Sequence, residues 1–289
     1  MFKLVDWVPE DKLTADLSSN PRAIEYLDKH PEKINWMYLS DNPEAIFLKT
    51  YPANVDWHWV SVNPGAIHVL ESNQDKINWT HLSMNPAASR LLEANLEKVN
   101  WNYLSSNPGS IDILKANPEK INWRYLSSNP GAIEMLKANP HKIYWPYLCS
   151  NPAAIHLLKD NLDKVDAFYL SNNPAAIGLL EKNQDKIFWP TLSSNPNAIK
   201  LLESNLDKVD WYWLSENPSA IHLLQANPHL INWCKLSQNP AIFVYDYERM
   251  TRPFTEELMA NRFHPNNIDK FEDWGLLTTF GKFEDWGYE

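Results

Sequence analysis

The stretch Trp123-Arg-Tyr-Leu-Ser-Ser-Asn-Pro-Gly-Ala-Ile-Glu-Met-Leu-Lys-Ala-Asn-Pro-His-Lys-Ile-Tyr144 decides the fold, because it recurs. Trp returns at 36, 57, 79, 101, 123, 145, 189, 211 and 233, in steps of 22 residues apart from one of 21, and Ala167 stands in the one empty slot. Asn-Pro returns in the same frame, its Asn at 20, 42, 63, 85, 107, 129, 151, 173, 195, 217 and 239. Residues 14–35 are a degenerate first unit that keeps Leu17, Ser18, Asn20, Pro21, Ala23, Ile24 and Leu27, and the pattern breaks after Pro240. A period of this length marks a repeat architecture.

Each unit reads as two short helices. Asn122 is placed to cap a first helix beginning at Trp123, with Trp123 and Leu126 three apart on one face. Five residues allow one short helix, 3₁₀ in part. Proline disfavours helical geometry in the residue before it, so Asn129-Pro130 ends that helix. The same pair starts the next one, Asn as N-cap and Pro at the first helical position. The second helix is expected from Pro130 to about Ala138, with Ala132, Ile133, Met135 and Leu136 in one arc. Asn139 is expected to take a left-handed cap, and Pro140-His141-Lys142 to turn the chain back.

Neither helix reaches the ~12–15 residues an isolated helix needs, so each unit must bury its Trp, Ile and Leu against its neighbours. The expected fold is all-α: an α-solenoid with one short helix or 3₁₀ turn plus one α-helix per unit. At ~8–10 Å per layer it would form an elongated superhelix of roughly 90–110 Å with terminal caps. The expected domains are an N-terminal cap at 1–13, the tandem repeats at 14–240, and a C-terminal cap and acidic tail at 241–289.

Composition agrees. Nine of the 14 Trp and eleven of the 21 Pro are repeat positions, and Gly falls to 7 because Asn caps the helix junctions. Two Cys exclude a disulfide scaffold, and no apolar run approaches the ~20 residues of a membrane span. The N-terminal residues do not read as a secretory signal. The formal charge is −10, half of it in residues 241–289.

The pattern Trp-x-x-Leu-Ser-x-Asn-Pro-x-Ala-Ile-x-Leu-Leu-x-x-Asn-x-x-Lys-Ile-Asn resembles the tandem repeats of about this length encoded in giant DNA viruses. Residues 263–275, Phe-His-Pro-Asn-Asn-Ile-Asp-Lys-Phe-Glu-Asp-Trp-Gly, resemble the C-terminal ends of such proteins. The resemblance spans residues 14–275 and implies a viral protein, intracellular in the host cytoplasm or carried in the virion, and not secreted. It carries over no catalytic residue. Departures from the pattern are Ala167 for Trp, Cys149 for Ser, Ser89 for Ile, Leu230 for Lys, and the short unit 36–56.

Trp36, Trp57, Trp79, Trp101, Trp123, Trp145, Trp189, Trp211 and Trp233 are expected in the structural core, each with a Leu or Val three residues on. The position two after Trp is a candidate partner-binding ridge: Tyr38, Trp59, Tyr103, Tyr125, Tyr147, Tyr169 and Trp213, with His81, Thr191 and Lys235 in the remaining units. Tyr and Trp dominate interface hot spots, but the same ring can pack between layers with its polar tip wet. The exposed position of the second helix varies freely (Phe47, His68, Arg90, Asp112, Glu134, His156, Gly178, Lys200, His222), as a plainly solvated site would. His68, His156 and His222 share that column several layers apart, so no metal is expected. Asn78-Trp-Thr80 fits a glycosylation sequon at a position expected to be core.

No catalytic grouping, phosphate loop or cofactor motif appears, so neither an enzyme nor a bound cofactor is expected. The Lys near the end of most units lies beside Asp or Glu, and a net acidic chain lacks the footprint nucleic acid requires. The expected role is a non-enzymatic scaffold that binds protein partners, as a host-interaction or assembly adaptor, with no membrane contact. The alternatives are a structural virion or minor capsid component and, less favoured, an RNA-binding helical repeat. The tail carries Lys-Phe-Glu-Asp-Trp-Gly twice, at 270–275 and 282–287, a candidate for docking or self-association.

Overall fold

The computed structural model describes residues 2–44 and 52–257, in two compact units, residues 4–243 and residues 1–3 with 244–289. In the larger unit the 22-residue period becomes four short elements. The representative unit has an α-helix at Trp123–Leu126, a 3₁₀ turn at Pro130–Ala132, an α-helix at Ile133–Ala138 and a second 3₁₀ turn at Pro140–Lys142. Asn122 caps the first helix, its Oδ1 accepting from the Arg124 and Tyr125 amides. Asn129 caps the next, accepting from Gly131 N at 2.9 Å. Asn139 is not left-handed. At φ −133° and ψ 59° it sends its Nδ2 back to the Met135 carbonyl at 3.0 Å, satisfying an orphan helix acceptor with its side chain.

The fully buried columns are small or aliphatic. One Leu column runs along the first helices from Leu39 to Leu236, with Val60 in one layer, and a second runs along the later helices from Leu70 to Leu224. Beside them lie the Ala column of Ala66, Ala88 and Ala132 and the buried Ser and Asn of each unit. The repeat Trp, expected in this core, are only half-buried. In five units a cation lies over the ring. Lys76, Lys98, Lys142, Lys164 and Lys208 hold their ammonium groups 4.3–5.0 Å from the ring centroids of Trp57, Trp79, Trp123, Trp145 and Trp189. An ammonium must stay wet, so the ring beneath it cannot sink into the core. In the unit where Ala167 replaces Trp, Lys186 turns to Asp185 instead, 3.7 Å away.

Buried Asn and Ser bind layer to layer. Asn129 Nδ2 donates to the carbonyls of Ser105 and Asn107, at 3.0 and 2.9 Å. Ser105 Oγ donates to Trp101 O and accepts from Asn122 N of the next unit. The ladder recurs along the described units, with Asn195 donating to Ser171 O alone and Cys149 Sγ standing in for one Ser hydroxyl. It does not stop at the ends: Asn20 Nδ2 donates to Ser237 O and Asn239 O, and Thr14 N donates to Ser237 Oγ at 3.0 Å. First and last units are thereby joined by the bonds that join any two neighbours. Seam-specific contacts add Arg22 Nη1 to Phe243 O, Gln238 Nε2 to Asp16 Oδ1 and Val5 N to Ile242 O.

The all-α solenoid of 22-residue units therefore stands, but its array is not an open rod with a cap on each end. It closes on itself, because each end unit fills the face that its counterpart would expose. Eleven Asn rungs, one per unit, share a full turn at about 33° each. Successive first helices pack closely while successive second helices diverge, which puts the first helices on the inner circumference. Gly65 and Gly109, in the 3₁₀ turns that follow the first helices, lie so close to the preceding unit that a Cβ on either would collide with the Pro43 or Pro86 carbonyl.

In the smaller unit, Phe2 stacks on Tyr245 with ring centroids 4.8 Å apart. Strands β1 (Phe2–Leu4) and β2 (Phe243–Tyr245) form a two-stranded sheet. An α-helix spans Tyr247–Glu257, with Pro253 inside it. The duplicated tail motif and Phe47 lie outside the described residues.

Candidate binding surface on the inner helices

The position two after each repeat Trp does form one column. Its rings meet edge to face: Tyr103 with Tyr125 at 5.9 Å, Tyr125 with Tyr147 at 5.8 Å and Tyr147 with Tyr169 at 5.5 Å. Such spacing is favourable packing between layers, and it leaves these Tyr half-buried. Trp59 and Trp213 are the exposed members, and His81 meets Trp59 at 6.5 Å. Tyr38 is half-buried in the same column. The column is thus largely a packing element, with exposure only near its interruptions.

Thr191 is the sharpest interruption. Where most other units carry a ring, its hydroxyl bonds the Phe168 and Phe188 carbonyls, each at 3.2 Å. The ring it lacks leaves a cavity of about 260 Å³ lined by Phe168, Phe188, Pro190, Thr191, Trp213 and Glu216, with Asn172 and Ser194. The apolar lining is open to water: Phe168 is 50% exposed, Phe188 42% and Trp213 36%, and the adjoining Tyr212 48%. Glu216 is ion-paired to Lys235 at 2.6 Å, and Lys235 also lies 4.4 Å over the far part of this cluster, the Trp213 ring.

Phe188 was not among the residues expected to matter, and its presence has a local cause. It occupies the cap position that Asn or Asp holds in most units. Such caps serve the amide two residues on, as Asp210 does for Tyr212 N at 3.0 Å. At residue 190 that amide is missing, because the residue is Pro, so the cap loses one of its jobs and an aromatic is tolerated. The same exchange occurs at Tyr144 with Pro146. There the chain fills its own site: the Arg124 guanidinium lies 4.7 Å from the Tyr144 ring and 5.1 Å from Tyr147. Two layers on, Phe168 stands in the place of Arg124 and Thr191 in the place of Tyr147.

The freely varying column on the second helices (His68, Arg90, Asp112, Glu134, His156, Gly178, Lys200, His222) is exposed throughout. His222 bonds Glu203 across one layer at 2.8 Å. Among the described residues no three His, Cys, Asp or Glu gather as a metal site, and no helix is long and apolar enough to cross a membrane. Asn78 is spent on structure, its Oδ1 accepting from His81 N and its Nδ2 meeting His58 Nδ1. The class defined by this geometry is a closed α-solenoid with an exposed aromatic cluster on its inner helices. No known family model, curated protein or solved structure matches the chain.

Proposed function

We propose that this protein is a non-enzymatic scaffold that binds a protein partner through the aromatic cluster of Phe168, Phe188, Tyr212 and Trp213. The observation that supports the reading is their joint exposure around one cavity, in a column whose Tyr rings elsewhere are half-buried by stacking on one another. A contiguous exposed apolar patch of this kind marks an interaction site, and Tyr and Trp are the residues that carry binding energy there. The repeat wording, which resembles that of giant DNA virus proteins, supports a host-interaction or assembly adaptor. A structural role as a rod bridging capsid subunits fits less well with an array whose two ends occupy each other. The double variant Phe168→Ser/Tyr212→Ser tests the reading by affinity purification from infected cells with mass spectrometry. A partner lost from the variant, with the melting temperature unchanged, is expected. Equal recovery of every partner by wild type and variant would overturn the proposal.

A further inference from the structure

We infer that the cavity beside Thr191 receives an alkylammonium side chain, that of a Lys or methylated Lys of the partner. This names the chemistry recognised at the surface proposed above and rests on that reading. Three observations carry it. First, this chain places cations on its own aromatic faces throughout, Lys on the repeat Trp and Arg124 on Tyr144 and Tyr147. Second, the site equivalent to the Arg124 one has lost that cation and one ring together. It keeps Phe188 and gains Phe168 and Trp213 around open space. Third, the rings beside this cavity already take one cation: the Lys235 ammonium, paired at 2.6 Å with Glu216, the single charged side chain in the lining, lies 4.4 Å over the Trp213 ring.

The volume suits one side chain. At about 260 Å³ it falls just below the ~300–1,000 Å³ of sites for drug-sized ligands, so a single long side chain fills it. The rings of Phe168 and Phe188, 5.8 Å apart and tilted by 53°, offer two walls, and Trp213 offers the third. Aromatic walls are how quaternary and methylated ammonium groups are recognised. A neutral alkyl group of the same shape gains the apolar burial but not the attraction of the ring faces.

The test uses the full chain and Nε-trimethyllysine as the probe, read on the Trp213 indole N–H in a ¹H–¹⁵N spectrum assigned with Trp213→Phe. Saturable shifts are expected, about tenfold weaker in affinity with the neutral tert-butyl isostere. Thr191→Tyr installs the residue that five of the ten units carry there, so it preserves the fold while plugging the cavity, and it should abolish the shifts. Equal binding of the charged and neutral probes, or undiminished binding to Thr191→Tyr, would overturn the inference. That failure is separable from failure of the scaffold reading, since the Phe168→Ser/Tyr212→Ser comparison is scored on partner recovery and not on the probe.

Discussion

Cys149 and Ser110 each stand in a column whose usual occupant does something they do not. In the Ser column the hydroxyl accepts the next unit's amide at 2.8–3.0 Å, as Ser127 does from Tyr144 N. Cys149 offers a sulfur instead, 3.3 Å from Asp166 N, and burial pushes its thiol up, away from reactivity. Cys149→Ser should therefore stabilise the fold by about 1 kcal/mol, measured by urea denaturation. Ser110 replaces the Ala of the close-packed column, and its buried Oγ finds no partner. Ser110→Ala should gain about 1 kcal/mol as well, because it deletes an unsatisfied polar atom without leaving a sizeable void. Loss of stability in either variant would contradict these assignments. Cys149 stood out in the sequence as a departure from a fixed frame, whereas Ser110 was not singled out there; the sign of both effects needed the layer-to-layer contacts.

At the scale of the element, most of the unit was legible because its determinants are local. Asn-Pro sets a stop and a start within two residues, and Trp-x-x-Leu sets one helix face. What escaped was contact at longer range: the Lys that covers the ring in five units lies 19 residues downstream of its Trp, as Lys142 does from Trp123, so no single helix shows them together. The link between Pro190 and Phe188 was visible in the sequence but becomes meaningful only once the caps are seen to serve that amide. It makes a prediction. Pro190→Ala restores an amide with no cap, and adding Phe188→Asn should then recover about 1 kcal/mol. The same Asn should gain less with Pro190 in place. Equal gains in both backgrounds, in a double-mutant cycle by thermal unfolding, would refute the explanation. The residues two after each repeat Trp form one column, which opens into a cavity where Thr191 interrupts the stacking.

For the repeat array taken whole, closure was the feature that the period could not convey. A 22-residue step fixes how units follow one another, and the rotation between them comes from how closely the inner helices approach relative to the outer ones. One signal was present. The end units keep Leu17, Ser18, Asn20, Leu236, Ser237 and Asn239, the residues of a buried layer, where an open end would favour polar replacements. The seam also carries a titratable group. Tyr26 lies 5.9 Å from the buried Phe243 ring; burial, then its hydrogen bond to Glu10 at 3.0 Å, push its hydroxyl up to about 12. A raised folded-state value favours the protonated form. The stabilisation is therefore full below about pH 10, the ordinary value, and is lost as the pH rises towards about 12. The melting temperature of the wild type should fall more steeply across that window than that of Tyr26→Phe, and parallel curves would contradict it.

Closure itself is tested most directly by a distance across the seam. Spin labels on Lys29→Cys and Ala226→Cys, in a Cys234→Ser background, mark exposed and equivalent helix positions in the first unit and in the last unit but one. In a closed array they are two units apart, as are labels on Ala94→Cys and Ala138→Cys. Double electron–electron resonance should give the same distance for both pairs. A distance of about 70–90 Å for the first pair, nine layers of ~8–10 Å each, would show an open rod and contradict the account.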